Sequence, residues 1–172
     1  PSDCVKLAVE AILNEKPRMI ISGINRGSNL GTDVLYSGTV SAAVEGIILG
    51  IPSLAVSLAG GDDFSYAADF IRRLLPYVCR TEPPAGTLLN INIPAAGPKK
   101  VKGVKATVLG RRRYRNAFEK RTDPRGQEYY WLAGELVEEE SEEGSDVQAV
   151  KDGYISITPV CFNLTNNTFL PD

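Results

Sequence analysis

The chain has 172 residues, with 19 Lys and Arg against 21 Asp and Glu, 43% hydrophobic and 23% charged; this is the make-up of one ordinary globular domain, which excludes disordered and collagen-like classes. A formal net charge of -2 gives no global attraction to duplex nucleic acid or an anionic membrane. Histidine is absent, so imidazole bases, His metal ligands and Ser-His-Asp or Cys-His nucleophile pairs are excluded within this sequence.

Residues 2 to 14 predict a helix capped by Ser2 or Asp3, with Val5, Ala8, Val9, Ile12 and Leu13 on one face and Asn14 and Pro17 stopping it. Arg18 to Ser22 is a short apolar run that suits a buried parallel strand. Gly23 to Gly38 is too rich in Gly, Asn and Ser for regular structure, and a helix follows from Thr39 to Leu49, ended by Gly50 and Pro52. Ser53 to Leu58 predicts another buried strand. Asp62 or Asp63 then caps a helix from about Phe64 to Val78, with Ala67, Ala68, Phe70, Ile71, Leu74 and Leu75 inward and Pro76 kinking it or ending it early. Leu88 to Ile93 is a further strand. This alternation implies an α/β fold: a mostly parallel sheet with helices on both faces.

From about residue 99 the pattern changes, which divides the chain into an α/β core over residues 1–98 and an arm, C-terminal strand and tail over 99–172. Val104 to Leu109, Tyr114 to Phe118 and Glu128 to Leu132 predict strands, the last two joined across the turn-rich TDPRG as a β-hairpin arm. A weak helix at Asp146 to Val150 and a strand at Tyr154 to Val160 follow. Charge is sorted here: Lys99 to Arg125 carries 11 basic residues against two acidic ones, and Glu128 to Asp146 carries eight acidic residues and no basic one. The plain reading is a solvated hairpin whose opposite blocks pair. The sharper one is that Arg111 to Arg115 attracts a phosphorylated or nucleotide ligand, with Tyr114 available for stacking.

Cys4, Cys79 and Cys161 stand far apart with no C-x-x-C pair, which argues against a zinc site or a disulfide scaffold and suits a reducing cytoplasm. Glu45 and Pro52 interrupt the longest apolar run, so no membrane span is expected. The chain opens on Pro1 rather than Met.

Chemistry concentrates in Ile20 to Gly46: a strand, a glycine-punctuated loop, and a helix whose first turn follows Ser37-Gly38-Thr39. Free backbone N–H groups at a helix N-terminus, two hydroxyls and a close-approach glycine make an anion site. No G-x-x-x-x-G-K-[ST] or G-x-G-x-x-G motif accompanies it. Asn25 and Asn29 can ligate a hard cation through their carbonyls or donate to phosphate, and each is equally a turn former. Asp33 is a third candidate oxygen ligand or a local cap.

The segment SGINRGSNLGTDVLYSGTVSAAVEG resembles the signature of the stationary-phase survival protein SurE family, metal-dependent nucleotidases that act on nucleoside monophosphates. DCVKLAVEAIL, IPSLAVS, LLNINIP and GSDVQAVKDGYISITPV look like the corresponding family segments, so the resemblance reaches to about residue 160. It implies a Rossmann-like sheet, an arm used in homodimer or homotetramer formation, and Mg2+ or Mn2+ at the strand ends. It makes Asn25 a metal ligand and places Asn29, Ser37, Gly38 and Thr39 against the phosphate; it names no catalytic acid. Family members open with an N-D-D-G strand whose aspartates hold the metal, and a later Ser completes the site. Here the Asp62-Asp63 pair precedes a helix and reads as its cap. The sequence is therefore expected to begin after the family's first strand and helix units, to self-associate through an exposed sheet edge, and to be weak or inactive alone. The alternatives are a non-catalytic nucleotide or phosphate-binding oligomeric module and an oligomeric structural protein.

Overall fold

The computed structural model describes residues 1–81, 83–97, 99–115, 118–132, 134–137 and 142–169. Strand β2 (Ser53–Ala59) has almost no solvent face, and neither has β3 (Thr87–Pro94) beside it. Side chains alternate across a strand, so Leu54, Val56 and Leu58 leave one side of β2 and Ser53, Ala55 and Ser57 the other. Two apolar faces need two covers. The larger side chains, with Ile91, Ile93 and Ile155, pack against Ala67, Ile71 and Val78 of helix α3 (Ser65–Thr81). On the other face, Ala55 and Leu88 meet Val34 together with Val40, Ala43 and Ile47 of α2 (Gly38–Ile48). That face is built from small residues because α2 lies close: a Cβ on Gly46 would run into the Ser53 side chain.

The five-stranded sheet has the order β1 (Ile20–Arg26), β2, β3, β9 (Ile155–Cys161) and β4 (Val104–Ala106). Strands β1, β2 and β3 are mutually parallel, β9 runs antiparallel to β3, and β4 is parallel to β9. The expected α/β architecture, Rossmann-like and helix-covered on both faces, is what forms. Helix α1 (Ser2–Leu7), continued by a π-type turn at Ala8–Ile12, lies on α2 and buries no residue fully.

The arm also forms. Strands β6 (Phe118–Thr122) and β7 (Glu128–Leu132) pair antiparallel, and beyond them β5 (Arg113–Arg115) pairs with β8 (Glu135–Val137). TDPRG makes the hairpin turn: Asp123 Oδ1 accepts from the N–H groups of Arg125 and Gln127, each at 2.8 Å, and Gly126 takes φ +81°. Lys120 pairs with Glu128 at 2.7 Å and Arg111 with Glu142 at 3.8 Å. The basic block thus partly pairs with the acidic one, through exposed contacts that contribute little stability.

Four local expectations are corrected. The first helix gets no side-chain cap from Ser2 or Asp3; instead Ser2 Oγ donates to the Ser41 carbonyl at 3.1 Å, tying α1 to α2. Pro76 does not end α3, which continues to Thr81 because Val78 beyond it is buried in the core. Ala68, placed inward by spacing, is exposed. The loop from residue 23 is regular at both ends: β1 continues to Arg26 by pairing Asn25 with Ser57 and Arg26 with Leu58, and Gly31–Tyr36 winds into a 3-10 helix. At Gly23, φ is +134° and a Cβ would strike the Val56 carbonyl, so only glycine carries the strand past this point. Asp63 caps α3 as expected, accepting from Ser65 N–H at 3.0 Å, while Asp62 pairs with Arg26 at 2.6 Å.

Candidate functional site

The α2 face of the sheet turns polar toward the carboxyl ends of its parallel strands, where Ser57, Asn90 and Asn92 are fully buried side by side. Buried polar groups need partners, and all but Asn90 Oδ1, which has none among the described residues, find theirs in the loop above. Asn92 Oδ1 accepts from the Asn29 N–H at 2.8 Å, while Nδ2 of Asn92 and Nδ2 of Asn90 donate to the Asn29 carbonyl at 3.0 and 2.9 Å. Asn29 Nδ2 in turn donates to Ser57 Oγ at 2.7 Å. Asn29 is therefore held by main chain and side chain on the sheet, with a second amide N–H left for a ligand.

Ser37 caps α2, its Oγ accepting from the Val40 N–H at 3.1 Å. The N–H groups of Gly38 and Thr39 open that same helical turn, at the positive end of the helix dipole, where negative charge is favoured. Gly38 is packed tightly: a Cβ there would lie 2.9 Å from Pro1 Cγ.

Asn29 and Ser37 line one cleft of about 750 Å3, together with Ser28, Thr32, Asp33, Tyr36, Arg112, Tyr114, Leu132 and Gly134. The structure thus unites the second loop asparagine, the helix cap and part of the basic run. Asn25 is not among the residues lining this cleft. It sits one residue from the end of β1, its Nδ2 donating to the Gly27 carbonyl at 2.9 Å, opposite the Ser57 that holds Asn29. Asp33 is not a free oxygen ligand. Its Oδ2 accepts from Arg112 Nη1 at 2.6 Å and from the Tyr114 hydroxyl at 2.8 Å, fastening the base of the arm to the 3-10 turn.

Burial raises the Tyr114 phenol above its ordinary value of 10, the hydrogen bond to Asp33 adds to this, and the Arg112 charge opposes it. The Tyr114–Asp33 bond is therefore intact below the ordinary tyrosine range and is lost as pH rises through the raised value, when phenolate faces carboxylate. An ultraviolet phenolate titration is expected to show one late-titrating tyrosine that disappears in Tyr114→Phe. Loss of an ordinarily titrating tyrosine from the variant's curve instead would mean that this hydroxyl is not bonded to Asp33.

Both halves of the cleft hang from one carboxylate that the sequence marks only as the start of a weak helix. Asp146 is fully buried at the start of α4 (Asp146–Lys151). Its Oδ2 accepts from Gly31 N–H at 2.8 Å, and its Oδ1 accepts from the N–H groups of Gly110 and Val147, each at 2.8 Å. Gly31 is two residues past Asn29, and Gly110 two before Arg112. Asn90 and Asn92 are likewise missed by periodicity, which reads LLNINI as a buried strand. The available signal was two asparagines at i and i+2 in an otherwise apolar run, a polar pair on one buried face.

The family described as Survival protein SurE matches residues 1–116. The chain is similar to the 5'-nucleotidase SurE of Moorella thermoacetica, 57% identical over 171 residues that take in 98% of this chain and 66% of that protein. It is also similar to the 5'-nucleotidase SurE of Symbiobacterium thermophilum, 58% identical over 167 residues, 96% of this chain and 65% of that one. It therefore spans just under two thirds of the length of these relatives. The crystal structure of the SurE protein from Aquifex aeolicus superposes with a TM-score of 0.82 at 44% identity, covering 98% of this chain and 69% of that one. A family match over residues 1–116, identity above half along nearly the whole chain and a shared fold agree: the chain belongs to the SurE survival-protein family.

Proposed function

We propose that the protein is a metal-dependent phosphomonoesterase, a 5'/3'-nucleotidase that hydrolyses nucleoside monophosphates to nucleoside and phosphate. The observation that carries this reading is the α2 N-terminus, whose cap Ser37, directly before Gly38 and Thr39, lines the same cleft as the sheet-anchored Asn29. Asn29, Ser37, Gly38 and Thr39 hold the non-bridging oxygens there, and their fixed donors stabilise charge as it develops on the phosphoryl group. The family membership and the names of the relatives support the same reaction.

The cofactor in this reading is a divalent cation, Mg2+ or Mn2+. Asn25 is the ligand this chain offers: its Nδ2 is spent on Gly27, leaving the side-chain carbonyl for the ion. One neutral oxygen does not make a magnesium site, which ordinarily draws on one or two carboxylates. Among the described residues no group of three or more His, Cys, Asp or Glu is placed to hold a metal. The donor set of these residues alone does not fit the ion. That same observation favours the second reading, a nucleotide or phosphate-binding oligomeric module without catalysis.

Self-association into a homodimer or homotetramer is supported by the arm, where Phe118, Tyr130, Trp131 and Leu132 are all exposed. The outer edge of β1, unpaired among the described residues, supports it further. No helix among the described residues is long and apolar enough to cross a membrane. The widely spaced exposed cysteines support a cytoplasmic site of action.

The test is phosphate release from adenosine monophosphate by the full-length gene product with Mg2+ or Mn2+. Asn25→Ala is expected to lower turnover by about 100-fold, with partial recovery at high metal concentration. Nucleotide binding with no phosphate release under either metal would replace this reading with the binding module.

A further inference from the structure

Away from the α2 N-terminus the cleft changes character. Tyr36, the residue immediately before Ser37, is 88% exposed, and Tyr114, brought in from β5, is 48% exposed; both line the cleft. Arg112 does not add net positive charge, because Asp33 pairs with it at 2.6 Å. This region therefore offers little to a second phosphoryl group. It does offer aromatic faces to a planar one. Arg112 lies over the Tyr114 ring, 5.9 Å from its centre, while the ring stays half-exposed to the cleft. Its Nε is buried and has no hydrogen-bond partner among the described residues, a donor in want of an acceptor. The Asp33 carboxylate grips both the Arg112 guanidinium and the Tyr114 hydroxyl, so this wall is in place before anything binds.

We propose that Tyr36, Tyr114 and Arg112 form the nucleobase subsite of the cleft: the base stacks on the tyrosine rings, and the Arg112 guanidinium donates to a base acceptor. A cleft of about 750 Å3 has room for a complete nucleoside monophosphate. Stacking on an aromatic side chain is tolerant of base identity, so affinity comes from the presence of a base more than from its edge pattern. The inference rests on the phosphate reading of Ser37 to Thr39, which supplies the fixed end of the ligand.

The experiment compares adenosine monophosphate with ribose 5-phosphate, which lacks the base, as substrates of the full-length gene product. The wild-type protein is expected to favour the nucleotide in kcat/KM by about tenfold or more, and Tyr36→Ala and Tyr114→Ala each to reduce that ratio by about tenfold. Tyr114→Phe, which keeps the ring and loses only the hydroxyl, is expected to retain most of the preference. A wild-type ratio near one, or a ratio unmoved by both alanine variants, overturns the subsite while leaving the nucleotidase reading intact. Should neither compound release phosphate, the nucleotidase reading fails, and the same ratio is read from calorimetric affinities; equal binding of the two compounds then overturns the subsite as well.

Discussion

Asp146→Ala is expected to cost about 4 kcal/mol of folding stability, read as a lower midpoint in urea unfolding with the slope retained. The carboxylate is fully buried and accepts three backbone hydrogen bonds at 2.8 Å, from Gly31, Gly110 and Val147. Removing it leaves donors on two separate chain segments without an acceptor, and an unsatisfied buried donor costs roughly 1–3 kcal/mol. Alanine also leaves space where the carboxylate stood. Asp146→Asn should fall between the wild-type protein and Asp146→Ala, since one acceptor oxygen survives while the other becomes a donor facing an N–H. The expected damage is not confined to stability. Gly31 leads back to Asn29 and Gly110 leads on to Arg112, so the two walls of the cleft lose their common anchor and phosphate affinity falls with them. A loss below about 1 kcal/mol would mean that water replaces the carboxylate at little cost, and the anchor role would be withdrawn.

Asn92→Ala is expected to cost about 3 kcal/mol and to weaken binding of inorganic phosphate by about tenfold. The Asn92 side chain both accepts from the Asn29 N–H at 2.8 Å and donates to the Asn29 carbonyl at 3.0 Å. This two-point clasp fixes the peptide units on either side of Asn29, and with them the direction of its side chain. Asn90 shares only the carbonyl end of the clasp, at 2.9 Å. Its loss should therefore matter less. Asn92→Asp keeps the acceptor and loses the donor, so it should retain more affinity than alanine does, provided that the added charge does not repel the anion. Calorimetric titration with phosphate, alongside urea unfolding, separates a displaced loop from a globally loosened sheet. Full stability with tenfold weaker binding would isolate positioning; unchanged binding would show that Asn29 needs no support from β3.

The elements were legible where a local pattern carries them. Helical spacing marks α2 and α3 to within a few residues at each end, and the apolar runs mark β2, β3 and β9. Turn chemistry marks the hairpin at TDPRG, because Asp123 and Gly126 act within that turn. The capped start of α2 was legible for the same reason: a capping serine, a glycine and the first helical turn are neighbours in sequence. The extension of β1 through Asn25 and Arg26 was not, since a glycine and asparagine-rich segment has weak strand propensity and pairs here because β2 presents a ladder beside it.

Composition, periodicity and capping determined by themselves that this is an α/β protein with a serine-capped turn at the head of α2, because each of those signals acts over a few residues. Which arginine of the basic run faces the cleft, that Asp33 is spent on Arg112 and Tyr114, and that Asn29 is clasped by Asn92 were decided by the tertiary structure alone. The partners concerned lie 79, 81 and 63 positions apart, and Gly31 stands 115 from Asp146. No local preference spans such separations. These contacts exist because burial of β2 and β3 between α2 and α3 sets the sheet register, and that register carries Asn92, and the loop held above it, to one end of the sheet.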